Sequence, residues 1–245
     1  MTKLCRFNLN KEGNDFICSD IHGHYSLLEK QLKSIGFDIS KDRLFCLGDL
    51  IDRGDESSLV IEYLSKPWFH SILGNHELML IDAFESESSH VRTQWGFWGG
   101  DWSEDLNNSE LEPYYEALVG LPMAIELTLS DGETVGLIHA ELPKTCDWNE
   151  VTAQLSSKNK RDNTTHTPLT HGMLWNKNQV HCPEAVHGLI QPIKNIDHVF
   201  HGHTIINKIT TVSNRTFMDL GSYESGIIGL INPTKFLKNP KPPYA

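Results

Sequence analysis

Short apolar segments alternate with amphipathic segments in the first third of the chain. The apolar segments have the length of buried strands, and the amphipathic ones carry apolar residues at helical spacing. The order is strand, helix, strand, helix, strand, over residues 15–21, 25–35, 43–50, 57–64 and 70–73. Strands that alternate with helices predict βαβ units with parallel pairing.

The pattern changes after this region. Residues 77–121 are mainly helical in pattern and predict a helical insertion. Beyond them, AIELTLS and TVGLIHA flank the turn residues SDGE and predict a hairpin. Further strand patterns at 198–204, 208–222 and 226–232 suggest a mostly antiparallel second half. We therefore predict an α/β fold in which two mixed β-sheets pack together, with helices flanking them.

Composition changes this picture little. A chain of 245 residues with 39% hydrophobic and 22% charged residues is typical of a folded globular protein. We expect one domain over residues 1–245, ending in a proline-rich tail at about 238–245. The sequence carries neither a signal-peptide pattern nor an apolar run that could span a bilayer, so we expect a cytoplasmic protein without a membrane partner.

The net charge and the cysteine pattern exclude several kinds of binding site. The formal net charge of −11 argues against a nucleic-acid surface, although bound cations could still attract phosphate locally. The five cysteines are scattered without a CxxC pair, which excludes a disulfide framework and a zinc knuckle. We expect a monomer.

Residues with metal-binding side chains follow several predicted strands directly, where an α/β sheet exposes its functional loops. An isolated histidine, His139, ends the strand pattern VGLIHA. Carboxylate, imidazole and amide oxygen together suit manganese, iron or zinc, and do not form a thiolate site. The four other segments are DIHGH at 20–24, GDLIDRG at 48–54, GNHE at 74–77 and HGHT at 201–204.

These motifs, in this order, resemble those of the metal-dependent phosphoprotein phosphatase family. The resemblance is strongest to its small bacterial and bacteriophage branch, which includes the lambda phage phosphatase, and it runs from residue 20 to residue 204. It implies the calcineurin-like metallophosphoesterase fold and two divalent metal ions, with manganese favoured and iron or zinc as alternatives. Carried over by position, Asp49 would bridge both metals. Metal ligands would be Asp20, His22, Asp49, Asn75, His139 and His203, the first two with Asp49 on one metal and the last three with Asp49 on the other.

The resemblance also implies a set of residues that act on the substrate. His76 would be the general acid for the leaving group, with Asp52 as the carboxylate that orients it. Arg53 would bind phosphoryl oxygens, as would Asn75, while the second phosphate-binding arginine of the family is replaced by Lys177 in the segment MLWNK. Arg161 is a weaker candidate for that position.

Other residues near the motifs have simpler interpretations. We choose His203 over His201 as the ligand because it precedes threonine, as in the family. His24 is interpreted as a loop residue, and His181 as part of a polar loop. The tryptophans at 95, 98 and 102 have near-helical spacing and are expected in the core, with a groove beside the site as the alternative.

The sequence thus predicts an enzyme that hydrolyses phosphoserine and phosphothreonine in proteins, and small phosphomonoesters, by attack of a metal-bridging hydroxide, with phosphotyrosine as a further substrate. One alternative is a symmetrical diadenosine tetraphosphatase, which shares most of these ligands. Another is an inactive scaffold that binds proteins, although no ligand of the pattern is missing. A phosphodiesterase or nuclease is a third, for which the acidic charge offers no nucleic-acid groove.

Overall fold

The computed structural model describes residues 3–86, 88–156, 167–182 and 188–239. A first sheet of four strands contains the predicted βαβ units. Its spatial order is Leu230–Ile231 (β10), Asp15–Cys18 (β2), Arg43–Cys46 (β3) and Phe69–Ser71 (β4). The pairs β2–β3 and β3–β4 are parallel, and β10 lies antiparallel to β2 at the edge. The alternation of strand and helix patterns therefore predicted this pairing.

The helices of this half lie where the periodicity places them. Helix α1 spans Tyr25–Ser34 and connects β2 to β3, with Tyr25, Leu28 and Leu32 buried. A 3₁₀ turn at Ser57–Leu59 leads into helix α2 at Val60–Leu64, which connects β3 to β4. Apolar residues three and four apart form one helix face, and this face covers the sheet.

The second sheet has six strands. Its order is Leu4–Phe7 (β1), Ala124–Thr128 (β5), Thr134–Ile138 (β6), His198–His201 (β7), Arg215–Phe217 (β9) and Thr210–Val212 (β8). The hairpins β5–β6 and β8–β9 are antiparallel, but β1–β5, β6–β7 and β7–β9 are parallel. The expectation of a mostly antiparallel second half was wrong in this respect. Long connections permit parallel pairing, and β6 reaches β7 through helices Trp148–Ser156 (α6) and Pro168–Trp175 (α7).

Three helices occupy the expected helical segment. They are Asn75–Glu85 (α3), Ser89–Phe97 (α4) and Asn108–Leu118 (α5), with a 3₁₀ turn at Gly100–Ser103 between the last two. Asn107 caps α5 because its side chain accepts from the amides of Ser109 and Glu110. Helix α3 begins inside the GNHE motif, so its first turn belongs to the candidate site. The helix Pro233–Lys238 follows β10 and includes the first residue of the expected tail. The tail itself lies almost wholly outside the described residues, which end at 239.

The two sheets pack face to face through one cluster of buried side chains. Ile17, Phe45 and Ile72 come from the first sheet or its strand ends, and Leu137 and Phe200 come from the second. Each such side chain contributes about 1.5–3 kcal/mol to folding when it is fully buried. This packing fixes the carboxyl ends of both sheets beside one another. Within the described residues, no helix is long and apolar enough to cross a membrane.

Candidate metal centre

The motif residues lie in tight turns at the ends of β2, β3 and β7. His22, Asp49, Asp52, Arg53 and His203 all have positive φ, between 46° and 75°. Residues other than glycine rarely adopt this conformation, which costs about 1–3 kcal/mol and is commonly found where function requires a fixed geometry. The turns therefore aim side chains into one place instead of following the regular direction of each strand.

Asp49 lies at the centre of the cluster, with its two carboxylate oxygens directed to different histidines. Oδ2 lies 3.6 Å from His22 Nε2 and 4.0 Å from His76 Nε2, and Oδ1 lies 3.4 Å from His139 Nε2. Burial opposes the charge of Asp49, but the imidazoles of His139, His76 and His22 hold its pKa below the usual range. A carboxylate with one oxygen on each side is the arrangement that a bridging ligand requires.

Backbone carbonyls orient two of these imidazoles. The Nδ1 atom of His22 lies 3.1 Å from the carbonyl of Ile51, and Nδ1 of His139 lies 2.7 Å from the carbonyl of Leu47. A carbonyl only accepts, so Nδ1 carries the proton in each ring and Nε2 presents its lone pair to the centre. Burial also lowers the pKa of both imidazoles, which keeps them neutral. Neutral imidazoles with inward lone pairs are ready to bind a metal.

Several hydrogen-bond acceptor atoms lie close together around Asp49, with too few hydrogen-bond donors to pair with them. Asn75 Oδ1 lies 2.8 Å from His139 Nε2, and both of these atoms are acceptors beside the Asp49 carboxylate. His203 is within reach of the same carboxylate, and its ring lies 5.0 Å from that of His139. Burial lowers the pKa of His203 to about 3. The lone pairs of these acceptor atoms repel one another unless a cation lies between them, so these residues fit a divalent metal.

Asp20 is a predicted ligand that belongs to neither of the two close groups around Asp49 in the described residues. It is fully buried, and its carboxylate accepts hydrogen bonds from the backbone amide of His203 at 3.0 and 3.1 Å. Burial raises its pKa well above the usual range, and the nearby carboxylates of Asp219 and Asp49 raise it further. Buried carboxylates close together are costly without a positive charge, which is a second indication that the site suits cations.

His201 is excluded from this centre. Its Nδ1 atom lies 2.6 Å from the carbonyl of Ala140, and its ring stacks on Phe217. His203, two residues later, leaves the strand through its positive φ of 62° and turns toward Asp49. His24 stays in its loop, with Nδ1 2.6 Å from the carbonyl of His22.

Glu77 holds the loop that carries Asp49, a role that the sequence reasoning did not identify. Its buried carboxylate accepts hydrogen bonds from four backbone amides, those of Asp49, Leu50 and Gly74 at 2.8 Å and that of Ile51 at 3.4 Å. Burial raises the pKa of Glu77 to about 8, whereas the amide donors of Gly74 and Leu50 favour its carboxylate form. The available signal was its place in GNHE, since glutamate at the third position of a helix commonly caps its own N-terminus.

His76 forms a buried pair with Asp52. Its Nδ1 atom lies 2.7 Å from Asp52 Oδ2, and its Nε2 atom faces the centre. Burial opposes protonation of this imidazole, but Asp49 and Asp52 raise its pKa above the usual value. Two indoles also donate hydrogen bonds to the Asp52 carboxylate. Trp95 Nε1 donates to Oδ2 and Trp102 Nε1 donates to Oδ1, each at 2.8 Å.

Arg53 lies at the exposed side of the centre. Its Nη1 atom lies 2.7 Å from His22 Nε2, and its guanidinium carbon lies 4.4 Å from the ring centre of Tyr223. Its backbone amide donates to the carbonyl of Gly99 at 2.9 Å. Gly99 has a φ of 110°, and a Cβ there would lie 2.7 Å from Arg53 Cγ. The helical segment therefore supports Arg53 closely.

An open cavity of about 500 Å³ leads to this centre. Lys177 lines it, as does His181, which the sequence reasoning assigned only to a polar loop. Trp98 also lines the cavity and is 58% exposed, so the expectation of a core residue was wrong for it. Trp95 is buried as expected, and Trp102 is partly buried. Arg161 lies outside the described residues.

Comparisons with known proteins agree with this geometry. The chain is 32% identical over 228 residues to "Serine/threonine-protein phosphatase 2" of Escherichia coli (strain K12), covering 92% of this chain and 95% of that one. A 71-residue stretch is 42% identical to a symmetrical bis(5'-nucleosyl)-tetraphosphatase of Coxiella burnetii, covering 28% of this chain and 24% of that one.

A solved protein serine/threonine phosphatase from Saccharomyces cerevisiae has the same fold, with a TM-score of 0.59 at 13% identity over 89% of this chain and 70% of that one. The profile of the calcineurin-like phosphoesterases matches residues 16–207, which include every motif described above. This chain belongs to the calcineurin-like phosphoesterase family.

Proposed function

We propose that this protein is a metal-dependent phosphoprotein phosphatase that hydrolyses phosphoserine and phosphothreonine monoesters. The observation that carries the proposal is the cluster of acceptor atoms around Asp49, with Arg53 and the His76–Asp52 pair beside it at the base of an open cavity. A relative that is named a serine/threonine-protein phosphatase and matches over most of the chain supports the substrate class.

Six side chains would hold two divalent cations, and manganese is the ion that we propose. Asp20 and His22 would bind one cation. Asn75, His139 and His203 would bind the other, and Asp49 would contribute to both. When bound, such a pair of cations supplies an activated water and neutralises charge on the phosphoryl group.

The chain's own residues would do the remaining work. Arg53 is exposed and its guanidinium fork matches two phosphoryl oxygens, and Lys177 adds a second positive charge to the lining of the same cavity. His76 would donate a proton from Nε2 to the departing alkoxide, because Asp52 holds Nδ1 and fixes the ring. His76 also lies close enough to His22 and Asp49 to bind a metal together with them. The metal content of a His76 variant therefore tests whether His76 is an acid or a ligand.

Metal reconstitution tests the function. The protein is stripped with a chelator and restored with manganese, zinc or ferrous ion singly, and hydrolysis of three substrates is compared. We expect the stripped protein to be inactive, and the restored protein to prefer a phosphoserine peptide over diadenosine tetraphosphate, with an aryl phosphate as the reference. A preference for diadenosine tetraphosphate would refute the proposed substrate class.

A diadenosine tetraphosphatase is the second candidate, because part of the chain is similar to such an enzyme. That similarity covers only 28% of this chain, whereas the similarity to the phosphatase of Escherichia coli covers 92%. An inactive scaffold is a weaker candidate, since a complete set of acceptor side chains has no use in a protein without bound metal. The Asp49→Asn variant should bind less metal than the wild type. If both proteins bind the same amount, the scaffold is favoured.

A further inference from the structure

Two aromatic side chains are exposed at the end of α4, next to the candidate metal centre. Phe97 is 86% exposed and Trp98 is 58% exposed, and their ring centres lie 6.0 Å apart at nearly right angles. We call this pair the aromatic rim. Large aromatic side chains left in water at the edge of a functional cavity commonly mark a binding surface.

The two residues of the aromatic rim line different cavities. Trp98 lines the cavity of the metal centre, while Phe97 lines a neighbouring cavity of about 480 Å³, the side cavity. Gly99 and Gly100 follow in the chain, the former against Arg53 and the latter in the wall of the side cavity. A polypeptide that crosses the aromatic rim from Trp98 to Phe97 would therefore pass from the first cavity into the side cavity.

Charge indicates what the side cavity would accept. Asp101 and Glu104 line it and are exposed. The cation in the same wall is Arg92, whose guanidinium is engaged by the backbone carbonyls of Ser103 and Leu106. The side cavity thus offers carboxylates and an aromatic face. A ligand with basic and apolar side chains is complementary to both.

We propose that the aromatic rim and the side cavity bind the polypeptide that flanks the phosphorylated residue, and that they favour substrates with apolar and basic residues there. This inference rests on the proposed phosphoprotein phosphatase function and names its preferred substrates. A small aryl phosphate ends within the first cavity and would not reach Phe97, which does not line that cavity.

The test uses two phosphoserine peptides, p-nitrophenyl phosphate and diadenosine tetraphosphate with the metal-loaded protein. One peptide carries leucine and arginine on both sides of phosphoserine, and the other carries glycine at those positions. Phe97→Ala removes the most exposed aromatic side chain, and Ile39→Ala, at a residue that is 66% exposed and lines neither cavity, is the matched control. A double variant, Asp101→Asn with Glu104→Gln, tests the charge.

We expect wild type to prefer the leucine–arginine peptide in kcat/KM, and Phe97→Ala to lose about tenfold of that preference, as burial of an aromatic side chain predicts. The double variant should lose part of the same preference, because it removes the carboxylates that face the arginines. Activity on p-nitrophenyl phosphate should stay unchanged in both variants, as should every activity of Ile39→Ala.

Different failures have different meanings. If wild type cleaves both peptides and Phe97→Ala leaves their ratio unchanged, the docking proposal is wrong and the proposed function stands. If wild type cleaves neither peptide but cleaves diadenosine tetraphosphate, the proposed function fails and the docking proposal with it. If light scattering shows a dimer of wild type that Phe97→Ala dissociates, the rim is an interface between copies and the docking proposal is overturned.

Discussion

The indole of Trp95 donates a 2.8 Å hydrogen bond to Asp52 Oδ2, the same carboxylate oxygen that lies 2.7 Å from His76 Nδ1. Trp102 donates to the other oxygen of this carboxylate. Asp52 is fully buried, so its direction is set by these partners. The helical segment therefore does more than cover the sheet, because it fixes the carboxylate that orients the proposed general acid.

Removing the carboxylate or an indole should impair proton donation. We expect Asp52→Asn to lower kcat for a phosphoserine peptide about 100-fold, because protonation of a poor leaving group depends on a correctly held acid. Trp95→Phe should lower it roughly tenfold, as the loss of one hydrogen bond to a charged group predicts. Activity on p-nitrophenyl phosphate, whose leaving group needs no proton, should fall far less.

Trp148→Phe is the matched control for this prediction. Trp148 is also a buried tryptophan whose indole donates to a carboxylate, that of Glu126 at 2.7 Å, but it lies away from the cavity. Equal effects of Trp95→Phe and Trp148→Phe on both substrates would show that the indole bond is merely structural. For His76→Asn we expect the same leaving-group dependence with full metal content. Loss of metal would instead identify His76 as a ligand.

Glu77 should be important for stability. Glu77→Gln keeps the shape but places an amide NH₂ against backbone donors, so we expect the free energy of unfolding to fall by about 3 kcal/mol. Urea unfolding of the metal-free protein measures this change. Glu110→Gln is the comparison, because Glu110 makes a similar helix-capping contact at the exposed start of α5, where a loss of less than about 1 kcal/mol is expected. Equal losses would contradict the special role of Glu77.

Lys177 should contribute charge without the directional grip of arginine. Lys177→Arg is expected to strengthen inhibition by inorganic phosphate roughly fivefold, because a guanidinium can bind two oxygens at once, and Lys177→Met should weaken it. The inhibition constant against an aryl phosphate measures both changes. Lys208→Arg, at an exposed residue that does not line the cavity, should have no effect. An unchanged constant for Lys177→Met would remove Lys177 from the phosphate site.

Two histidines outside the centre should make stability depend on pH. Burial lowers the pKa of His198 to about 4, and burial together with Arg43 does the same for His70. The unfolded chain, with histidine pKa near 6.5, then binds more protons than the folded protein between about pH 4 and pH 6.5. Stability from these residues is therefore complete above pH 6.5 and is lost as pH falls through this window.

His198→Gln tests this sign directly. The imidazole of His198 lies 2.7 Å from the hydroxyl of Thr216, a contact that glutamine can replace without titrating. Between pH 4.5 and pH 6, the slope of unfolding free energy against pH should be smaller in the variant by up to about 1.4 kcal/mol per pH unit. Urea unfolding in the presence of chelator measures it. An identical slope in both proteins would show that His198 is protonated when folded.

Much of the first half could be predicted from local pattern. The periodicity of residues 15–73 indicated the parallel strands and both helices, because strand and helix periods differ and each buries one face. The motifs DIHGH, GDLIDRG, GNHE and HGHT indicated the chemistry, and the structure brings Asp49 together with His22, His76, His139 and His203. Their roles as ligands and acid remain predictions that the experiments above address.

Only the tertiary structure determined the contacts between residues that are far apart in the chain. The sequence by itself determined which residue types follow each strand, and hence the kind of site. It could not show that Trp95 and Trp102 reach Asp52 from 43 and 50 residues away, because periodicity reports burial but not hydrogen-bond partners. Parallel pairing of β6 with β7 was likewise set by how the long connection packs. Strand direction and side-chain partners arise from long-range packing, which no local pattern records.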